Sequence, residues 1–177
     1  EFDVFNCSLD GINLIEASAG TGKTWNICGL YLRLLLERNH DVRQILVVTF
    51  TNAATAELRE RTRSRIVEAL AWLRDGDGAG PADDPFVAEL VQAVEQRTGL
   101  DRQQLALRLD QVLQYSDAAA IFTIHGFCQR ALLENTFESG SLFGSDLISD
   151  QKAVIKQVCD DFWRSRILTQ PDEFIEY

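Results

Sequence analysis

Apolar residues recur along this chain with two periods, and the switches between them mark out its elements. Residues Ile12 to Glu16 form a short apolar run that predicts a strand. After the turn Ala17-Ser18-Ala19-Gly20-Thr21-Gly22, the residues Ile27, Leu30, Tyr31, Leu34 and Leu35 return at helical spacing. A second run, Gln44 to Thr49, is short and β-branched and predicts another strand. It leads into a long helix from about Asn52 to Arg74, with Leu58, Ile66, Leu70 and Leu73 on one face. Asp75 to Pro85 is rich in Gly, Asp and Pro and reads as a surface loop, with Asp84 placed to cap a helix whose first residue is Pro85. Two helical patterns follow, about Pro85 to Gln96 and Asp101 to Gln114. Thr98-Gly99 separates them, which predicts an antiparallel helix pair inserted between strands at the periphery. Ala119 to Thr123 is a third buried-strand signal, followed by helices from about His125 to Glu134 and Asp150 to Leu168.

Strands alternating with helices define an α/β chain with a parallel sheet covered by helices on both faces. The expected organisation is a first motor segment over 1–74, a helical insertion over 75–116, a continuation of the motor over 117–140, and the start of a second helical subdomain over 141–177. With 177 residues, 46% of them hydrophobic, the chain can bury one sizeable core with a small appendage. Its apolar runs fall short of the roughly 18 residues a membrane span requires, and no export signal opens it, so a soluble, unexported chain is expected.

Charge and cysteine usage narrow the chemistry. A net charge of -10 opposes generic binding to nucleic acid, where lysine and arginine displace counterions, so any DNA contact must be local. Cys7, Cys28, Cys128 and Cys159 are scattered, and the histidines are His40 and His125. Neither a zinc cluster nor a disulfide framework is indicated, and a reducing cytoplasm fits. Lys23, Lys152 and Lys156 are the lysines.

Lys23 stands in the most informative segment. Gly20-Thr21-Gly22-Lys23-Thr24 lies where a strand is expected to turn into a helix, so backbone N–H groups can wrap a phosphate at the positive end of the helix dipole. Glycines allow close approach, the Lys23 ammonium can reach β- and γ-phosphates, and the Thr24 hydroxyl can ligate Mg²⁺. The first glycine of the G-x-x-x-x-G-K-[ST] pattern is replaced by Ala17.

Beyond the loop, two polar clusters fall at expected strand ends, where ligands of open α/β sheets bind. At Thr49-Phe50-Thr51-Asn52, Phe50 could stack on a base, or it could be a core residue with Thr51 or Asn52 as a helix cap. At Thr123-Ile124-His125-Gly126, the histidine is functional or structural. Arg59, Arg61, Arg63 and Arg65 interleave with Glu57 and Glu60 and read as a solvated helix face, with Glu57 and Arg61 paired at i,i+4. Asp150-Gln151-Lys152 has the acid-x-lysine spacing of some nucleases, but without a second acidic cluster it reads as a capped helix start.

These segments together resemble the superfamily 1 UvrD/Rep-like DNA helicases, and within them the beta-subunit family of exodeoxyribonuclease V. Leu14 to Thr24 is similar to that family's phosphate-loop segment, alanine at 17 included. Val47 to Leu58 and Phe122 to Cys128 are similar to its next two motifs, in order, and the likeness runs from about Leu14 to about Trp163. It implies a RecA-like P-loop NTPase fold, incomplete here, with Ala17, Ser18, Ala19, Gly20, Thr21, Gly22, Lys23 and Thr24 holding ATP and Thr24 on Mg²⁺. It also implies a single-stranded DNA track lined by Thr49, Phe50, Thr51, Asn52, Thr123 and His125, and gamma and alpha partner subunits acting on double-stranded DNA breaks in the bacterial cytoplasm.

The chain departs from the family pattern in several places. Residues 1–13 contain no glutamine of the kind that UvrD-like relatives use for adenine. No apolar strand ends in the Asp-Glu pair that hydrolysis needs; Leu147-Ile148-Ser149-Asp150 comes nearest, in the wrong context. The arginine-bearing second motor domain and the nuclease domain are missing as well. The expectation is therefore a front piece of a longer helicase, inactive by itself. Two rivals stand beside it, a complete small P-loop kinase and a non-enzymatic nucleotide-binding scaffold.

Overall fold

The computed structural model describes residues 2–18, 20–75, 85–139 and 150–167. They fall into two compact units, Glu1–Cys128 and Gln129–Tyr177. Ala19, the greater part of the expected loop 75–85 with Asp84, the segment Leu147-Ile148-Ser149 and the helix end at Leu168 lie outside the described residues.

In the first unit, α1 (Lys23–Glu37) is followed by a 3-10 turn over Val42–Gln44, then β1 (Val47–Thr49) and α2 (Asn52–Asp75). The helices α3 (Phe86–Thr98) and α4 (Arg102–Gln114) come next, then a second 3-10 turn, Ser116–Ala118, and β2 (Ile121–Thr123), which runs straight into α5 (Ile124–Glu134), the helix in which the division at Cys128 falls. The strands pair in parallel with Val47 beside Ile121, Val48 beside Phe122 and Thr49 beside Thr123. In the second unit, α6 (Thr136–Ser139) and α7 (Lys152–Phe162) are described, α7 continuing into a π-turn over Trp163–Ile167.

Local chemistry explains most boundaries. Gly99 ends α3 in the left-handed conformation at φ 69, returning its N–H to the Glu95 carbonyl at 2.9 Å. Two residues later Asp101 opens α4 with a capping box. Its carboxylate accepts from the Gln104 N–H at 2.8 Å, and the Gln104 side chain accepts from the Asp101 N–H at 3.1 Å. The same device at Asp41 and Gln44 turns the chain just before β1, which is why the apolar run from Gln44 yields a strand only from Val47.

Two expectations are corrected. Ile12 to Glu16 is not a strand: residues 11–18 are exposed throughout, and Ile12 and Leu14 are 103% and 86% accessible. An apolar run becomes a strand only where a neighbour offers ladder partners and a layer covers its faces, and β1 and β2 offer theirs to each other. Nor is the α3–α4 pair peripheral. Leu90, Val91 and Val94 of α3 and Leu105 and Leu109 of α4 are buried in one cluster with Leu32, Leu35 and Leu36 of α1 and Ile66, Leu70 and Leu73 of α2. Two three-residue strands offer too little surface to cover such helices, so the apolar stripes of the four helices cover one another.

Candidate nucleotide site

The glycine loop ends directly in α1. Gly20 and Gly22 sit at φ 79 and 78, a region that costs a residue with a Cβ about 1–2 kcal/mol, so the turn needs glycine at both places. The helix start has no side-chain cap and no acidic residue in its first turn, which leaves its N-terminal amides to an external anion. The Lys23 ammonium folds back over the loop and donates to the carbonyls of Ser18 at 2.5 Å and Ala17 at 3.3 Å. Thr21 closes the same turn, its hydroxyl donating to the Ser18 carbonyl at 2.8 Å. Thr24 follows in the helix, half-buried. Two left-handed glycines, uncapped amides, one ammonium and one hydroxyl form a donor set suited to a polyphosphate with its divalent cation.

The strand ends place the remaining expected residues. Register sets Thr49 directly beside Thr123, so both polar clusters emerge at the same, carboxyl edge of the sheet. The Thr49 and Thr55 hydroxyls are 2.6 Å apart, and both donate to the Thr51 carbonyl, at 3.1 and 3.0 Å. The Thr51 hydroxyl accepts from the Ala54 N–H at 3.1 Å and so caps α2. Phe50 is 87% exposed, which rules out the core reading for its ring, and Asn52 beside it is exposed. In the other cluster, the Thr123 hydroxyl accepts from the Gly126 N–H at 3.1 Å, and His125 is exposed in the first turn of α5.

A small buried cluster links the three segments. Cys28 of α1, Leu58 of α2 and Ile121 of β2 pack together, five residues after Lys23, six after Asn52 and two before Thr123. The Cys28 sulfur is 3.6 Å from the Thr62 hydroxyl, and burial pushes its thiol pKa up. Arg59 adds a polar tie, donating to the Ile121 carbonyl at 2.7 Å, and Arg63 donates to the Ser116 hydroxyl at 2.5 Å. The solvated-face expectation holds in that Arg59, Arg61 and Arg63 are all exposed; Arg61 pairs with Glu57 at 2.8 Å, while the tips of Arg59 and Arg63 also reach partners distant in sequence. In the second unit, the Asp150 carboxylate accepts from the Lys152 N–H at 2.9 Å beside the start of α7, whose N-cap position is taken by Gln151 without a side-chain cap.

Sequence reasoning missed Arg33. It is 3% exposed, pairs with Glu37 at 2.6 Å, and donates to the carbonyls of Val4 at 2.9 Å and Cys7 at 2.8 Å, tying the N-terminal segment to α1. The available signal was an arginine between Leu32 and Leu34 on an apolar face with an acid one turn on.

The family profile of the UvrD/REP helicase N-terminal domain matches residues 3–174, and the chain belongs to that helicase family. Relatives include the RecBCD enzyme subunit RecB of Escherichia coli, 45% identical across 98% of this chain, and that of Haemophilus influenzae, 42% identical across 88%. The same-named subunit of Mycobacterium tuberculosis is 36% identical across 84%. The chain spans only 15%, 13% and 13% of those three proteins' lengths. Among the described residues no helix is long and apolar enough to cross a membrane.

Proposed function

We propose that this chain is the ATP-binding front part of a DNA helicase and nuclease subunit working in double-strand break repair and recombination, on a RecA-like P-loop frame. In this reading the loop from Ala17 to Gly22 and the amides at the start of α1 receive the phosphates, and the Lys23 ammonium exchanges the Ser18 and Ala17 carbonyls for phosphate oxygens. Thr24 supplies the hydroxyl for Mg²⁺. The observation that carries the reading is the pair of left-handed glycines leading into an uncapped helix start with Lys23 folded over it. When bound, Mg-ATP would supply a phosphoryl group whose transfer depends on positioning and charge neutralisation.

The strand edge supplies the second half of the reading. Phe50 and His125 are exposed beside Thr49, Thr51, Asn52 and Thr123, a mix of aromatic and hydrogen-bonding groups able to take a single DNA strand by stacking and phosphate contacts. Such a local contact answers the objection from net charge. Hydrolysis would require the Asp-Glu pair and the second-domain arginines of a longer chain, so these 177 residues alone should bind nucleotide and turn over little. The names of the relatives place them in a RecBCD enzyme, and partner subunits of the gamma and alpha kind are proposed here on that ground. A bacterial cytoplasmic setting goes with that assignment.

Calorimetric titration with magnesium and a non-hydrolysable ATP analogue tests the reading. Saturable heat that Lys23→Ala removes is expected; a flat titration for the unaltered chain, or equal binding by the variant, overturns it.

A further inference from the structure

The first turn of α1 leans on an aromatic group that has no part in the phosphate grip itself. Trp25, two residues after Lys23, packs against Phe86 with ring centroids 3.9 Å apart and the ring planes tilted by 48°, and Phe5 meets the same ring at 5.4 Å. Phe86 opens α3 and is 3% exposed. One turn beyond Trp25, on the same face of α1, Gly29 approaches this ring so closely that a Cβ would lie 2.7 Å from its Cζ and 2.9 Å from a methyl of Val4. From α2, the Arg65 guanidinium lies 5.3 Å from the ring centroid. Phe86 is thus held by the N-terminal segment, α1 and α2 together, while α1 meets it through a flat indole and a bare glycine.

This contact constrains rotation. Turning α1 about its axis would disturb both the close approach of Gly29 to the ring and the Trp25 contact. A turn of about 20° moves backbone atoms on a helix of about 2.3 Å radius by roughly 0.8 Å. Displacements of that size separate an aligned donor set from a misaligned one. We infer that Trp25 is a positioning residue for the phosphate grip: its tilted ring contact with Phe86 sets the rotation of the first turn, and with it the direction in which Lys23 and Thr24 meet a magnesium-bound triphosphate. The inference rests on the nucleotide reading and adds to it the residue that aims the grip.

The test compares Trp25→Ala and Trp25→Phe with the unaltered chain, titrated with magnesium and a non-hydrolysable ATP analogue while tryptophan emission is followed. Trp25→Ala should weaken binding about tenfold or more, whereas Trp25→Phe, which keeps an aromatic ring against Phe86, should stay within about threefold. The nucleotide-dependent emission change should vanish in Trp25→Phe although Trp72 and Trp163 remain. Should Trp25→Ala fail to fold, Trp25→Leu replaces it, keeping apolar volume without a flat face. Undiminished binding by the ring-less variant, failure of phenylalanine to rescue, or an emission change that survives Trp25→Phe would each overturn the inference while leaving nucleotide binding intact. No binding by the unaltered chain would instead remove the nucleotide reading and this inference with it.

Discussion

Arg33 and Glu37, one turn apart on α1, form a buried ion pair at 2.6 Å with side chains 4% and 11% exposed. The pair is fully engaged: Arg33 also serves the Val4 and Cys7 carbonyls, and Glu37 takes Arg97 of α3 at 2.9 Å. Replacing Arg33 by methionine keeps most of the volume but strips a buried carboxylate of its nearest cation and orphans two carbonyls. A loss of about 3–5 kcal/mol is expected, read as a lower urea midpoint with an unchanged slope. A loss below about 1 kcal/mol would show the tie to be incidental.

At Gly29 two effects oppose each other. Alanine gains about 1 kcal/mol of helix propensity, but its methyl must enter space taken by the Phe86 ring and the Val4 side chain, both buried. Overpacking of a buried contact costs about 1–3 kcal/mol, so Gly29→Ala should destabilise on balance, seen as a drop in the thermal midpoint. A rise would mean that the ring yields.

Tyr31 carries a buried hydroxyl without a hydrogen-bond partner, and burial first, then the nearby Asp41 charge, pushes its pKa up to about 12 from 10.0. Because the folded-state value is raised, its contribution is complete below pH 10 and is lost as pH climbs towards 12. Tyr31→Phe should leave stability at neutral pH unchanged or higher by about 1–3 kcal/mol and flatten the alkaline decline, measured by urea unfolding at pH 8 and at pH 11.

Asp41 shows the opposite sign. The Arg43 side chain, and after it the Arg43 N–H, hold the carboxyl down to about 2 from 3.8. A depressed value stabilises above the unfolded pKa, and the gain disappears as pH falls from about 4 to about 2. Asp41→Asn should therefore shallow the acid limb of a thermal-midpoint profile. The pair is solvent-screened, with the Arg43 side chain 63% exposed, so the effect should be about 1 kcal/mol or less. An identical acid limb in the variant would contradict this.

How much could be read from the residues in advance follows the range of each interaction. Asp101 with Gln104, Gly99, and Gly20 with Gly22 act on their own backbone, and α4, the end of α3 and the glycine turn before α1 were legible for that reason. Ile12 to Glu16 was misread because strand pairing depends on neighbours that a local apolar run does not specify. Arg59 is exposed as its helix face predicts, but its bond to the Ile121 carbonyl, 62 residues away, was not legible. Periodicity located the apolar stripes of α3 and α4, but not that they would face α1 and α2. At the site, the glycine loop and the two strand-end clusters were visible; the aromatic support behind them was not, since Trp25 and Phe86 are distant in sequence.

The Cys28, Leu58 and Ile121 contact has one more implication. The far halves of α1 and α2 are set in a large interior, whereas near the segments proposed to meet nucleotide and DNA, α1 meets α2 and β2 at this small apolar junction, beside the β1–β2 ladder and the Arg59 tie. A shift of α1 as its loop takes up a ligand would press first on the roots of the two strand-end turns, so this junction is where a push at one end would become a change of grip at the other.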